Sequence, residues 1–392
     1  MQGGSNMLKR AGLSIVTIML LLSFASAVRT QNTNPLPADT VKKIEEVIES
    51  EKAKLSIPGL SVAVAIDNQL RYAKGFGMAD LENSVPAKAE TVYRTASIAK
   101  SMTAMAVMEL VEQGKLDLDA PIQKYCPTFP EKQWPVTARQ LLGHLGGVRH
   151  YKAAGEASGT ENYFTIVDSL KIFKDEPLLH EPGTKFNYTT YGYSVLGCAI
   201  EGASGMSYED YMREKVFAPA GMSATRTDNF RMVIPHRARG YMRLSQETYD
   251  RLPEQMKRIA KPGEVYNASL HDTSMKVPGG GLVSTAVDLV KFGIASNTGK
   301  LVKKTTIEQM WTSQKSKDGK ETGYGLGWGI GEASGFKMVS HSGGQAGTST
   351  LLVILPEKGI IVAAMSNLEG VSLGSLTRQI GELLLLQSQA RK

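Results

Sequence analysis

The chain has 392 residues, 42% of them hydrophobic, and a formal net charge of +7. That is enough apolar material to bury a sizeable core in one large domain or two closely associated ones, and nothing in the bulk composition suggests disorder. Lys and Arg are scattered, without a basic run or interleaved aromatics, so the sequence carries no nucleic-acid footprint.

The first 38 residues contain no acid. Lys9 and Arg10 precede an apolar run from Ala11 to Phe24, followed by Ala25-Ser26-Ala27. This is the layout of a secretory signal: basic start, apolar middle, small-x-small cleavage site. Residues 1–27 are therefore expected to be a signal peptide, giving a secreted or periplasmic protein with no stable membrane association once it is cleaved. An uncleaved anchor is the alternative, because the run is only slightly short of a spanning helix. The segment is neither Arg-rich nor amphipathic, as a mitochondrial transit peptide would be. Cys126 and Cys198 sit in apolar settings and read as two buried free thiols; pairing in an oxidising compartment is the alternative.

Asp39 is expected to cap a helix with apolar positions Val41, Ile44, Val47, Ile48 and Leu55, stopped by Pro58-Gly59. Leu60, Val62, Val64 and Ile66 alternate with small residues, Asp67-Asn68 makes a turn, and Leu70 to Gly77 returns as a hairpin. Ala63 and Ala65 suggest that the second face is also covered, with the first helix as the candidate cover. A largely helical stretch follows, including Thr137 to Leu145, Tyr163 to Lys174, Tyr191 to Ala203 and Tyr208 to Val216. Thr285 and Asp288 have the spacing of a capping box for a helix reaching Phe292. Gly325 to Ile330, Phe336 to Ser340, Thr348 to Leu355 and Ile360 to Met365 read as strands, and Val371 to Leu386 as a closing helix. The polar stretch from about Arg243 to Ser274 reads as a surface insertion, either a solvated loop or a lid.

Strands at both ends with helices between them predict an α/β (α+β) fold. One antiparallel sheet is built from both termini and flanked by helices, with a mainly helical domain inserted. The expected domain spans 39–392, its sheet region about 39–95 and 295–392 and its helical region about 96–294. A site between sheet and helices is expected.

The chemistry centres on Ser97-Ile98-Ala99-Lys100. Residues three apart on a helix share a face, so the amine of Lys100 can take the proton of Ser97. A serine hydroxyl needs such help to act as a nucleophile, and a lysine gives it only when burial or a neighbouring charge lowers its pKa. Met102, Met105, Val107, Met108, Leu110 and Val111 supply that burial, because a helix apolar nearly all round is an interior one. A second Ser-x-x-Lys, Ser334 to Lys337, lies in a Gly-rich turn with no helix to hold it together and reads as chance. Acyl transfer also needs a proton donor and oxyanion donors. Tyr188, just ahead of a helix, is a candidate for the first. Ser340-His341-Ser342-Gly343-Gly344, expected between two strands, is a candidate region for the second.

Ser97-Ile98-Ala99-Lys100, Tyr188-Thr189-Thr190 and His341-Ser342-Gly343, in that order, resemble the serine β-lactamase-like family of class C β-lactamases, DD-peptidase-type penicillin-binding proteins and related esterases. Its motifs are Ser-x-x-Lys, Tyr-x-Asn and Lys/His-Thr/Ser-Gly. The flanking segments Gly59 to Gly77, Leu141 to Tyr151, Pro182 to Met222, Gly279 to Gly293 and Gly325 to Asn367 extend the resemblance over most of the chain from about residue 40. The phrases around His144 and Lys171 to Asp175 look closest to a mitochondrial branch. The resemblance implies a β-lactamase/transpeptidase-like fold, Ser97 as acylated nucleophile, Lys100 as its base and Tyr188 as the catalytic phenol. It also implies an oxyanion hole from the backbone N–H groups of Ser97 and Gly344, with Thr190, His341, Ser342 and Gly343 at the substrate. Two departures stand out: Thr190 replaces an amide with a hydroxyl, and His341 replaces Lys with a weaker, pH-dependent cation.

The expected function is a secreted serine hydrolase working through an acyl-enzyme on a small ester, amide or peptide. A true class C-type β-lactamase and a low-turnover penicillin-binding-like protein are the alternatives. No cofactor and no metal are expected, since the six histidines show no ligand spacing. No Gly-x-Ser-x-Gly elbow marks an α/β-hydrolase.

Overall fold

The computed structural model describes residues 36–389 apart from 153, 158 and 230; the expected signal peptide lies outside the described residues. Helix α1 (Ala38–Lys54) opens the fold. It begins behind Pro37, with no side-chain cap, and Asp39 sits inside the first turn rather than at the cap. There its charge still favours the positive helix end. Strands β1 (Gly59–Ile66) and β2 (Gln69–Asp80) form the expected hairpin. Its turn residues Asp67 and Asn68 both have positive φ, +53° and +56°, which suits a two-residue loop. Strand β3 (Val85–Pro86) extends it, and β4 (Tyr93–Arg94) leads into α2 (Ile98–Glu112).

The middle of the chain contains α3 (Ala138–Leu142), α4 (Ile166–Leu170) and α5 (Tyr191–Ser204). Helix α4 is shorter than the pattern from Tyr163 to Lys174 predicts, because Thr165 caps it by accepting from Asp168 N and starts it late. Four short strands follow: β5 (Arg226–Thr227), β6 (Tyr241–Arg243), β7 (Val265–Asn267) and β8 (Leu282–Ser284). The polar insertion is therefore partly ordered, with β6 and β7 paired and short helices at Gln246–Asp250 and Glu254–Lys257. Thr285 caps α6 (Ala286–Asn297). Strands β9 (Gly329–Ala333), β10 (Phe336–Gln345), β11 (Thr348–Leu355) and β12 (Ile360–Ser366) precede α7 (Gly374–Gln389).

Seven strands form one sheet in the order β3-β2-β1-β12-β11-β10-β9, with antiparallel pairing throughout. Both ends of the chain build it, as expected. Leu60, Val62, Val64 and Ile66 face α1 and α7, meeting Ile44, Ile48, Leu376 and Ile380. Ala63 and Ala65 face the opposite way, toward α2 and α6. The first helix thus covers the large-residue face and α6 covers the alanine face, the reverse of the expected assignment. Helix α6 sits close to that face through its own small residue: a Cβ at Gly293 would lie 2.8 Å from Ile361 Cγ2.

Two further expectations are corrected. Gly325 to Gly327 forms a turn and the strand starts at Gly329, while β10 runs on through the Gly-containing box to Gln345. The box is a strand because Gly343 and Gly344 pair with Thr350 and Ser349 of β11. Cys126 and Cys198 are joined in a disulfide, not free. The turn after Ile122–Lys124 packs against the middle of α5 and brings their Cα atoms to 5.4 Å, within bonding reach. Among the described residues no helix is long and apolar enough to cross a membrane.

Candidate active site

Ser97 stands at the entry to α2. Thr95 is fixed by β8, its N–H and its hydroxyl both donating to Leu282 O, at 2.9 and 3.1 Å. Ala96 then takes a positive φ of +46°, an unfavourable conformation for a residue with a Cβ. The bend turns the chain sharply into the helix and presents Ser97 at its start. Of the α2 residues, twelve are buried, from Ile98 to Met108 and Leu110. The expected interior helix is present, and Lys100 is fully enclosed.

Lys100 Nζ lies 3.1 Å from Ser97 Oγ, 3.1 Å from Thr190 Oγ1 and 2.6 Å from Gly279 O. No carboxylate is among these contacts. Burial first, then the charge of Lys276, push the Lys100 amine well below its ordinary pKa. An uncharged amine has two N–H groups for Gly279 O and Thr190 Oγ1 and a lone pair for the Ser97 proton.

Tyr188 closes the other side of Ser97. Its phenol faces the Ser97 hydroxyl closely enough to be lowered by it, and Lys100 Nζ lies 4.9 Å from its ring centroid. Burial raises the phenol to about 12, partly offset by the Ser97 hydroxyl, so it carries its proton at neutral pH. The segment that bears it is held by two histidines. Asn187 N donates to His144 O at 2.8 Å, Thr189 N to His144 Nδ1 at 3.2 Å, and Thr190 N to His150 Nδ1 at 3.2 Å. The His144 ring also packs on Tyr188 at 4.2 Å. As acceptors at Nδ1, both rings are neutral; burial pushes His144 far down and His150 to about 4. Sequence reasoning assigned these histidines no role, although His144-Leu145-Gly146-Gly147 stood out as a family-like phrase.

His341 reaches the same neighbourhood from β10, but not as a cation. Its Nε2 accepts from Tyr324 Oη at 2.8 Å and its Nδ1–H donates to Ser342 O at 2.7 Å. Burial, then the neighbouring Lys100, push it down to about 3. A neutral, fully bonded ring replaces the expected pH-dependent one. Ser342 is exposed, and Gly343 lies against the Ser97 entry: a Cβ there would meet Thr95 O at 2.3 Å and Thr350 Oγ1 at 2.4 Å. Gly344 is exposed, with open space beside it. Strand β9 pairs β10 only from Phe336 to Ser340. Among the described strands, none borders His341 to Gln345 on that side. An unpaired edge of this kind can offer N–H groups to a bound carbonyl.

The structure thus brings Ser97, Lys100, Tyr188 and Thr190 into one cluster and sets the His341 to Gly344 box against the Thr95–Ala96 bend. Ser334 and Lys337, the second Ser-x-x-Lys, lie apart at the β9–β10 turn. Among the described residues no cluster of His, Cys, Asp or Glu could hold a metal ion. Lys276 and Gly279, which sequence reasoning did not place in the site, are part of it. Their only signal was the Gly279-Gly280-Gly281 run.

A serine and lysine one turn apart at the entry of an interior helix, a phenol between helices and a glycine-bearing strand edge define a serine hydrolase of the β-lactamase/transpeptidase-like fold. The chain belongs to the family described as Beta-lactamase, which it matches over residues 44–385. It is 31% identical to the mitochondrial serine beta-lactamase-like protein LACTB of Homo sapiens, over 88% of this chain and 79% of that protein. Among solved structures, it resembles the octameric penicillin-binding protein homologue from Pyrococcus abyssi. The two are 31% identical, with a TM-score of 0.72, over 88% of this chain and 77% of the other. The D-amino acid amidase from Ochrobactrum anthropi SV3 shares the fold at 23% identity, with a TM-score of 0.76 over 89% and 100% of the two chains.

Proposed function

We propose that this protein is an exported serine hydrolase that cleaves a small ester, amide or peptide through an acyl-enzyme at Ser97. The observation that carries the reading is the enclosed Lys100 amine, 3.1 Å from Ser97 Oγ and without a carboxylate partner. Lys100 takes the hydroxyl proton as Ser97 Oγ bonds to the carbonyl carbon. The oxyanion is received by the backbone N–H groups of Ser97 and Gly344. Tyr188 passes a proton to the leaving oxygen or nitrogen as its bond to the acyl carbon breaks, and water then releases the acid. Thr190 and Ser342 supply hydroxyls at the substrate. The Cys126–Cys198 bond supports export, because such bonds persist in oxidising compartments.

Esters, amides and peptides are favoured over β-lactams because the third box offers no charge for a substrate carboxylate: His341 is neutral and committed to Tyr324. The test is a panel of p-nitrophenyl esters, D-amino acid amides, L-peptides and nitrocefin, run beside a fluorophosphonate probe on wild type and Ser97→Ala. Probe labelling at Ser97, lost in Ser97→Ala together with ester or amide turnover, is the expected result. Labelling that survives Ser97→Ala sinks the mechanism. Nitrocefin turnover exceeding that of every ester and amide, and lost in Lys100→Ala, replaces it with a β-lactamase.

A further inference from the structure

Lys276 is a second buried lysine beside the first. It ends the turn Ser274–Lys276, three residues before Gly279, whose carbonyl receives the Lys100 amine. Its side chain passes the bend that presents the nucleophile: a Cβ at Gly280 would lie 3.8 Å from both Lys276 Cδ and Ala96 C. Its Nζ donates to Ala157 O at 3.0 Å and lies 5.6 Å from the Tyr151 ring centroid. The Tyr151 phenol in turn lies within the influence of the Thr190 side chain, which accepts from Lys100. The two lysines therefore border one polar cluster.

Lys276 is only 4% exposed, yet no carboxylate pairs with it among the described residues. Asp228, the acid whose charge acts on it, is committed to Arg94 and Arg237. A buried cation without a counter-ion is costly, and such groups cluster at functional sites. The other titratable groups facing Lys100 carry no charge at neutral pH. His144 and His150 accept backbone N–H groups, His341 accepts from Tyr324, and burial keeps the phenols of Tyr188, Tyr193 and Tyr324 protonated. Lys276 is the charge that reaches Lys100.

We propose that Lys276 is the positive charge of this site at neutral and acid pH, a positioning residue that touches no substrate and keeps the Lys100 amine free to take the Ser97 proton. The proposal rests on the acyl-enzyme reading above. Two ammonium groups in one poorly solvated region cannot both keep their protons cheaply. Both amines have a carbonyl and an aromatic face; Lys276 wins the proton because it alone of the two lies in the field of an acid, Asp228. It is lowered only to about 8, by burial and then by Arg94. The neutral His341 supplies no cation, so this charge comes from a different element, ahead of the Gly279–Gly281 run.

The experiment is the rate of Ser97 labelling by a fluorophosphonate between pH 4 and 9 in wild type, Lys276→Met and Lys276→Arg. Removing the charge raises the proton affinity of Lys100. In Lys276→Met the acid limb is expected to move up by about one pH unit, a roughly tenfold slower rate at a pH on the limb, with the alkaline plateau kept. Lys276→Arg keeps the charge and is expected to keep the wild-type limb. If Lys276→Met does not fold, Lys276→Gln serves the same comparison with the same expectation. A limb unmoved in the uncharged variant overturns the proposal. So does a limb moved equally in Lys276→Arg, since shape rather than charge would then be responsible. Wild type that is unlabelled at every pH defeats the acyl-enzyme reading itself, a separate failure.

Discussion

Tyr324 donates to His341 Nε2 at 2.8 Å, and this bond fixes the imidazole of the third box as a neutral ring whose other nitrogen donates to Ser342 O. The residue that sequence alone suggests as a cationic contact is therefore an internal strut between β10 and the turn before β9. Tyr324→Phe removes the donor and leaves a buried acceptor unpaired, at a cost of about 1–3 kcal/mol. Urea denaturation at pH 7.5 measures it. A variant as stable as wild type would show that the bond contributes nothing.

The same depressed proton affinity sets the response to acid. The folded His341 titrates at about 3, below its unfolded value of about 6.5. The unfolded chain binds the proton first. The neutral ring's contribution is thus fully present above pH 6.5 and is lost as pH falls from there toward 3. At pH 5 the loss from this one residue is about 2 kcal/mol. Urea midpoints at pH 7.5 and 5.0 are expected to differ less in His341→Gln than in wild type. Equal differences in the two proteins contradict the assignment. For the same reason, activity is expected to show no limb near pH 6.5 that disappears in His341→Lys.

At the nucleophile, Lys100→Arg is expected to be as damaging as Lys100→Ala. A guanidinium keeps its proton in proteins and cannot accept that of Ser97. Both variants should lose roughly 10²–10⁴-fold in acylation rate, read by stopped-time labelling with a fluorophosphonate. Lys100→Arg acylating within tenfold of wild type would mean that Lys100 acts only as a positive charge.

Much of this site was legible in the sequence because its parts are local. Ser97 and Lys100 share one helical turn, and the apolar residues of α2 announce its burial. The sheet was legible because alternation and the Asp67-Asn68 turn fix the first hairpin. What was not legible depends on distant contacts. The joining of Cys126 to Cys198 depends on how α5 docks. The neutrality of His341 depends on Tyr324. The roles of His144 and His150 depend on a backbone segment 40 and 45 residues away. Lys276 had no signal beyond the Gly279-Gly280-Gly281 run that follows it, because its meaning lies in the absence of an acid beside it, which spacing does not reveal.

The disulfide ties the turn at Ile122–Lys124 to α5, the helix that begins right after Tyr188-Thr189-Thr190. Closing a loop of 72 residues restricts the unfolded chain, for about 4 kcal/mol in the chain-entropy account. A Cys126→Ala, Cys198→Ala double variant is expected to lose a large part of that, measured by urea denaturation, while still labelling at Ser97 when folded. Stability unchanged from wild type, with the bond verified in wild type by mass spectrometry, contradicts the expectation.

The two neighbouring glycines of the third box give the sharpest contrast. A methyl at Gly343 would enter the backbone oxygen of Thr95 at 2.3 Å and approach Ala96 Cβ at 3.1 Å, and the Thr95 backbone is itself bonded to β8. Gly343→Ala must push β10 away from the start of α2 and so separate the Ser97 N–H from the Gly344 N–H. At Gly344 the same methyl meets nothing within 4 Å. Its loss of function should be small, since a backbone N–H survives substitution by alanine. The expected outcome is a fall of roughly 10²-fold or more in acylation for Gly343→Ala, comparable to losing an oxyanion donor. For Gly344→Ala the expected change is less than about tenfold. Equal tolerance at both positions would mean that the spacing between β10 and the Ser97 bend does not control the oxyanion site.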